Sequence, residues 1–296
     1  MTTIRIATRQ SPLALAQAQW VADQFASRGH DYVIVALSTR GDDNTTSPLS
    51  SMAGVGVFAV EIQRAVLDGR ADIAVHSAKD LPSITPDGLR LIAVPERRDP
   101  ADVLVGRSLA GLGPGATVAS GSPRRRALLA QRRPDLNFVE LRGNMATRLA
   151  TVGGHVDAIV TAAAALERLG WSDHIAERLD PTWMTPQVGQ AALAVECAAD
   201  SEWASVVAEI DDPVAHRAVA AEREFLRELG SGCSVPAGAY CRLDGDELVI
   251  DGVMAATDGS RVLRATRRHR DLTVGADLAR ELRDDLGGSD LPGWRA

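Results

Sequence analysis

The stretch GRADIAVHSAKDL, residues 69–81, agrees with GHVDAIVTAAAAL, residues 154–166, at Gly, Asp, Val, Ala and Leu with identical spacing. Each copy reads as a buried strand that follows a glycine turn and ends at a corner. Two further pairs occur in the same order. IATRQSPLALAQ near the start corresponds to VASGSPRRRALLAQ from Val118, each a strand running into Ser-Pro and a helix. TRGDDN from Thr39 corresponds to LRGNMATR from Leu141, each an Arg-Gly after a strand. Three matches in one order indicate an internal duplication, hence two similar lobes with a cleft between them. At the corner itself the copies part: Lys79 and Asp80 of the first become Ala164 and Ala165 of the second. The fold does not require a charged pair there, which points to chemistry. Lys79 is also the only lysine of the chain, every other cationic side chain of the Lys and Arg total being arginine.

Working outward, short apolar runs alternate with helix-period segments over roughly the first two hundred residues: IRIAT, DYVIVALS, ADIAVHS, LRLIAV, ADVLVG, ATVAS, LNFVEL, VDAIVTA and AALAVE. That alternation predicts an α/β fold with largely parallel sheets. From about residue 213 the pattern changes to one long helix, PVAHRAVAAEREFLREL, then strands separated by turns and a last helix, GADLARELRDDL. This predicts a separate α+β unit.

Composition narrows the function. A chain of 296 residues exceeds the usual single-domain size, so two or three domains are expected. A formal charge of −7 argues against a general nucleic-acid or membrane-surface binder, which needs a net basic footprint. Any anion site must therefore be local. The opening MTTIRIATRQ lacks an apolar signal core, and no segment reaches membrane-spanning length, so the cytoplasm is the expected location. Cys197, Cys233 and Cys241 are odd in number and form no Cys-x-x-Cys pair, which supports neither a disulfide framework nor a metal site.

Ser11 and Ser122 each precede a proline at the start of a helix, where a hydroxyl caps open N–H groups and proline suits the first helical position. Plain capping is one reading. The other is anion binding, because Arg124, Arg125 and Arg126 occupy the first turn of the second helix, where the positive end of the macrodipole disfavours cations. An anion would reverse that sign. Arg9 stands beside the matching corner of the first lobe, and Arg142 and Arg148 flank another helix start. Guanidinium forks suit carboxylates and phosphates. Arg126, Arg132 and Arg133 read instead as a solvated face. Cys233 lies in the glycine-flanked LGSGCSVPAGAY, where small neighbours leave its sulfur approachable, whereas Cys197 and Cys241 read as structural thiols. His76 reads as a core or supporting residue, and the glycine-rich MAGVGVF matches neither nucleotide-binding fingerprint.

Taken together, RIATRQSPLALAQ, DIAVHSAKDLP, ERRDP, SPRR, RRPDL, LRGNMATRL, VGQAALAVE, AERE and GCSVPAG span nearly the whole chain, which on these motifs resembles the porphobilinogen deaminase (hydroxymethylbilane synthase) family. The resemblance implies two lobes like periplasmic binding proteins around a central cleft, plus a smaller C-terminal α+β domain. Residues 1–96 and 190–210 would form the first lobe, 97–189 the second and 211–296 the third domain, with the segment near AALAVE returning to the first lobe. It implies a dipyrromethane cofactor attached through a thioether to Cys233, and a transferase that adds four porphobilinogens with loss of ammonia before hydrolysis releases hydroxymethylbilane. Asp80 would be the catalytic carboxylate. Lys79, Ser77, Ser120, Ser122, Arg124 and Arg125 would hold the cofactor, and Arg9, Ser11, Arg142 and Arg148 the substrate. No metal, nucleic acid or membrane is implied, and a monomer is expected. The chain departs from the family pattern at Ala53-Gly54-Val55-Gly56-Val57-Phe58, where a lysine is common, and at Gly189-Gln190-Ala191, where Gly-Gln-Gly is usual. The rival reading is a non-catalytic bilobed protein for a small anion, which would give Cys233 no purpose.

Overall fold

A computed structural model describes residues 3–38, 59–230 and 235–294. Contacts divide the chain into two compact units, Met1–Arg98 with Ala191–His216, and Asp99–Gln190 with Arg217–Ala296.

In the first unit, β1 (Ile4–Arg9), β2 (Tyr32–Leu37), β3 (Ile73–Ser77), β4 (Leu89–Ala93) and β10 (Leu193–Ala198) form one sheet in the order β2-β1-β3-β10-β4. β1 pairs in parallel with β2 and β3, whereas β10 runs antiparallel to both β3 and β4. Four strands thus share one direction and β10 alone is reversed, a mixed sheet where a largely parallel one was expected. The α1 helix (Pro12–Ala26) covers one face through Val21 and Phe25 against Ile4, Ile6, Ile73 and Val195, all buried. The α2 helix (Val60–Leu67) covers the other through Ile62 and Val66 against Ala7 and Ala74. Burial on both faces explains why these strands read as continuous apolar runs.

The second unit repeats the plan. Strands β5 (Asp102–Val105), β6 (Thr117–Ala119), β7 (Asn137–Val139), β8 (Ala158–Ala162) and β9 (Ile175–Arg178) form a sheet in the order β7-β6-β8-β5-β9. Here β6 pairs in parallel with β7 and β8, and β5 is the reversed insert, antiparallel to β8 and β9. The two sheets therefore share one topology, with β6, β7, β8 and β9 in the places of β1, β2, β3 and β4, which is what the sequence duplication predicted. The α3 helix (Pro123–Arg132) follows β6 as α1 follows β1. The shorter α4 (Met145–Leu149) and α5 (Ala163–Arg168) follow, and α6 (Ala204–Ala208) belongs to the first unit.

The long α7 helix (Pro213–Glu228) precedes an antiparallel sheet, β11 (Ala237–Asp244), β12 (Glu247–Ala255) and β13 (Val262–His269), closed by α8 (Val274–Arg280), which widens into a π turn at Glu281–Asp285. Phe225, Ile250, Leu278 and Leu282 fill the core between this sheet and its helices. Among the described residues no helix is long and apolar enough to cross a membrane.

Candidate functional site

In the first unit the site grows from the carboxyl ends of β1 and β3. β1 stops at Arg9, and Ser11 caps α1 by accepting a hydrogen bond from the Ala14 N–H at 3.3 Å. β3 stops at Ser77 and turns through one tight 3-10 turn, Ala78–Asp80, pinned by the Ala78 N–H donating to the Ala192 carbonyl at 3.0 Å. The ends of β1 and β3 and the first turns of α1 place Arg9, Ser11, Gln17, His76, Ser77 and Asp80 around one small cavity. The crevice beyond the carboxyl ends of the strands is where open α/β sheets bind ligands. Ser77 and the Gln17 amide bond each other at 3.0 and 3.1 Å, which fixes the hydroxyl. Asp80 and Lys79 are half-buried on the same turn, and only Asp80 lines the cavity. Behind it, His76 is buried with Nε2 3.3 Å from Oε2 of Glu196 on β10, and that carboxylate accepts from Gln63 Nε2 at 2.8 Å.

In the second unit Ser122 caps α3 by accepting from the Arg125 N–H at 3.4 Å, as the capping reading predicted. Ser120 is fully buried, its hydroxyl accepting from the Ser122 N–H at 3.2 Å, so it shapes the turn. Arg124 and Arg125 are buried too, and the anion opposite them is a carboxylate of the chain itself. Asp102, at the first position of β5, receives Arg124 Nη2 at 2.7 Å, Arg125 Nε at 2.9 Å and Gln190 Nε2 at 2.9 Å. Burial alone would raise the Asp102 carboxyl; the two guanidinium charges and the Gln190 hydrogen bond outweigh it and bring it down to about 2. The sequence did not reveal this internal counter-charge, which lies 22 residues from Arg124 and is shared by both arginines. Arg148 donates to the Gly143 carbonyl at 2.8 Å, and Arg142 lies 3.8 Å from Glu140. The surface reading of the remaining arginines agrees with Arg126 on Glu140 and Arg133 on Asp135, while Arg132 stacks on Trp183 at 4.8 Å.

Cys233 and the glycine loop from Ala53 to Phe58 lie outside the described residues. Cys197 and Cys241 are buried, and burial pushes the Cys197 thiol up, so it is not poised as a thiolate. Asp102, Glu196 and Gln63 were missed in the sequence. The signal for the two acids was a lone carboxylate within an otherwise apolar strand, ADVLVG and AALAVE.

A family model described as "Porphobilinogen deaminase, dipyromethane cofactor binding domain" matches residues 4–205, and one described as "Porphobilinogen deaminase, C-terminal domain" matches residues 216–286. The chain belongs to the porphobilinogen deaminase family. It is 44% identical over 301 residues to the porphobilinogen deaminase of a Roseiflexus species, covering 98% of this chain and 99% of that one. Against the porphobilinogen deaminase of Cutibacterium acnes it is 42% identical over 334 residues, covering 100% and 98%. Among solved structures it is similar to a periplasmic substrate-binding protein of an ABC transporter from Coxiella burnetii, 17% identical, covering 74% of this chain and 96% of that one with a TM-score of 0.44. As a member of this family the chain is a transferase of tetrapyrrole biosynthesis, a porphobilinogen deaminase that works with a dipyrromethane cofactor. The residues present fit such a group, whose rings carry carboxylates and pyrrole N–H donors. Arg142 Nη2 and Arg124 Nε are buried without a hydrogen-bond partner among the described residues, as donors awaiting an acceptor would be. Asp80 supplies an acceptor that opens into the cavity of the first unit.

Proposed function

We propose that Asp80 is the catalytic carboxylate for the stepwise condensation of four porphobilinogens, each losing ammonia, with hydrolysis releasing hydroxymethylbilane. The observation that carries this reading is the polar cavity shared by Asp80, Ser77, Arg9 and Ser11, set against the buried alanines at the equivalent corner of the second lobe. When bound, the dipyrromethane, joined to Cys233 through a thioether, supplies the terminal pyrrole to which each unit is added.

The protein's own residues do the rest. Loss of ammonia from porphobilinogen leaves an electron-poor ring system, and the attacking ring also turns positive. A fixed carboxylate at the pyrrole N–H groups lowers both barriers by meeting charge as it develops. Asp80 also relays the proton released from the pyrrole N–H toward the departing amine. Arg9, Ser11, Arg142 and Arg148 hold the acetate and propionate groups of the substrate. Lys79, Ser77, Ser122, Arg124 and Arg125 hold those of the cofactor, with Ser120 keeping the Ser122 turn in place. Lys79 contributes a compact ammonium where a planar guanidinium would not fit. The C-terminal sheet with its helices acts as a third domain presenting Cys233. The protein works as a cytoplasmic monomer in a route to haem or another tetrapyrrole.

Intact mass tests this directly. Protein from a porphobilinogen-competent host carries a covalent excess equal to two pyrrole units, and Cys233→Ser removes it. An unmodified, folded wild type would overturn the reading in favour of a non-catalytic anion-binding protein.

A further inference from the structure

Arg124 and Arg125 occupy a position that helix electrostatics disfavour, and they do so while buried at 2% and 8% exposure. Two further groups determine where their guanidiniums lie. Asp102, with no exposed surface, takes Arg124 Nη2 on Oδ2 at 2.7 Å, and Arg125 Nε and Nη2 on Oδ1 at 2.9 and 2.7 Å. Gln190, equally buried, donates from Nε2 to Asp102 Oδ1 at 2.9 Å and to the Pro100 carbonyl at 2.6 Å, and accepts from Arg125 Nη2 at 3.3 Å. Two guanidinium charges against one carboxylate leave one positive charge uncompensated in this network. Buried net charge is costly unless something completes it.

One donor of the pair remains open. Arg124 Nη1 is spent on the Thr185 carbonyl at 2.6 Å, but its buried Nε has no partner among the described residues. Arg124 also borders a small cavity with Ser122, Gln187, Phe225 and Gly238. Glycine at 238 is required by close approach: a Cβ there would stand 2.8 Å from Arg124 Cδ and 2.4 Å from the Pro186 carbonyl. The arginine stem is therefore held by β11 on one side and by Asp102 at its tip.

The geometry points to Asp102 and Gln190 as positioning residues, which lock the arginine pair and keep its one surplus positive charge for a single carboxylate of the pyrrole chain. This rests on the porphobilinogen deaminase reading, and it gives those two residues a role in anion capture without contact to substrate.

The test is acquisition of the two-pyrrole mass by cofactor-free full-length protein incubated with porphobilinogen, followed by intact mass spectrometry beside thermal melting. Gln190→Met keeps the side-chain volume and removes its hydrogen bonds. It melts within a few degrees of wild type and acquires the two-pyrrole mass about 10-fold more slowly, the scale of a lost hydrogen bond to a charged group. Because Gln190 acts in part through Arg125, the same substitution has less than its full effect in an Arg125→Ala background. Asp102→Asn, when folded by circular dichroism, does not acquire the mass at all; if it does not fold, Gln190→Met carries the test. Wild-type rates in Gln190→Met, or an effect that adds in full to Arg125→Ala, overturn the inference alone. A wild type that never acquires the mass overturns the underlying reading and the inference with it.

Discussion

The two lobes share one strand order, and each places a fully buried acid on its reversed, inserted strand: Glu196 on β10 and Asp102 on β5. Their partners differ. Glu196 meets a histidine and an amide, His76 and Gln63, whereas Asp102 meets two guanidiniums and an amide. The corners after the third strand differ in the opposite sense. In the first lobe Ser77 and Asp80 open onto a polar cavity; in the second, Ala163, Ala164 and Ala165 are buried. The same backbone plan thus supplies an acceptor site in one copy and a cation site in the other. Duplication fixed the scaffold, and divergence at a few non-apolar positions gave each copy its own set of charged groups.

The strongest way to break that contrast is to exchange the corners. Asp80→Ala lowers turnover of porphobilinogen by about 10²–10³-fold or more, the scale of losing a preorganised charge at the reacting centre. Because Asp80 is half-buried on a turn, the melting temperature changes little. Normal turnover in this variant would refute its role. The converse, Ala165→Asp, puts a carboxylate where the alanine is 8% exposed, and costs about 3 kcal/mol or more in urea unfolding with no gain in activity.

A smaller effect probes the inserted acid of the second lobe by pH. The Asp102 carboxyl is depressed from 3.8 to about 2 in the folded protein. A depressed carboxyl stabilises the fold above its unfolded value and loses that contribution as pH falls through the folded one. The stability gap between wild type and Asp102→Asn, from urea titrations, is therefore full above about pH 4 and shrinks by about 2 kcal/mol on approaching pH 2. A gap independent of pH in that window would show that the arginines do not hold Asp102 ionised.

The scaffold was legible because a strand covered on both faces has to be written as an apolar run, and a repeated topology has to repeat its spacing. Ser11 and Ser122 were legible for a similarly local reason, since a cap acts within one helical turn. What stayed hidden is non-local. Nothing in AALAVE says that it inserts between β3 and β4, or that it runs against them. β9, half-exposed at alternate positions, carried too weak a signal to separate from a loop. The arginines of α3 stood out, but their counter-charge lies on another strand, so only the structure tells an internal carboxylate from an external one.

The turns that lead into the two inserted strands offer the finest test. β5 is reached through Asp99-Pro100-Ala101 with no left-handed residue, whereas β10 is reached through Gly189-Gln190-Ala191, where Gly189 has φ 69° and Ala191 φ 71°. Ala191 is the non-glycine residue with positive φ among the described residues, and it is buried. An alanine held there costs about 1–2 kcal/mol, and glycine relieves most of it while adding about 0.5–1 kcal/mol of unfolded-chain entropy. Ala191→Gly is therefore stabilising by about 0.5–1 kcal/mol, read as a rise of a few degrees at most in the melting temperature. Ala191→Val, whose branched side chain tolerates this conformation less well, moves the other way. A lower melting temperature for the glycine variant would mean that the corner is not strained, and the asymmetry between these turns would then lie only in the hydrogen bonds of Gln190.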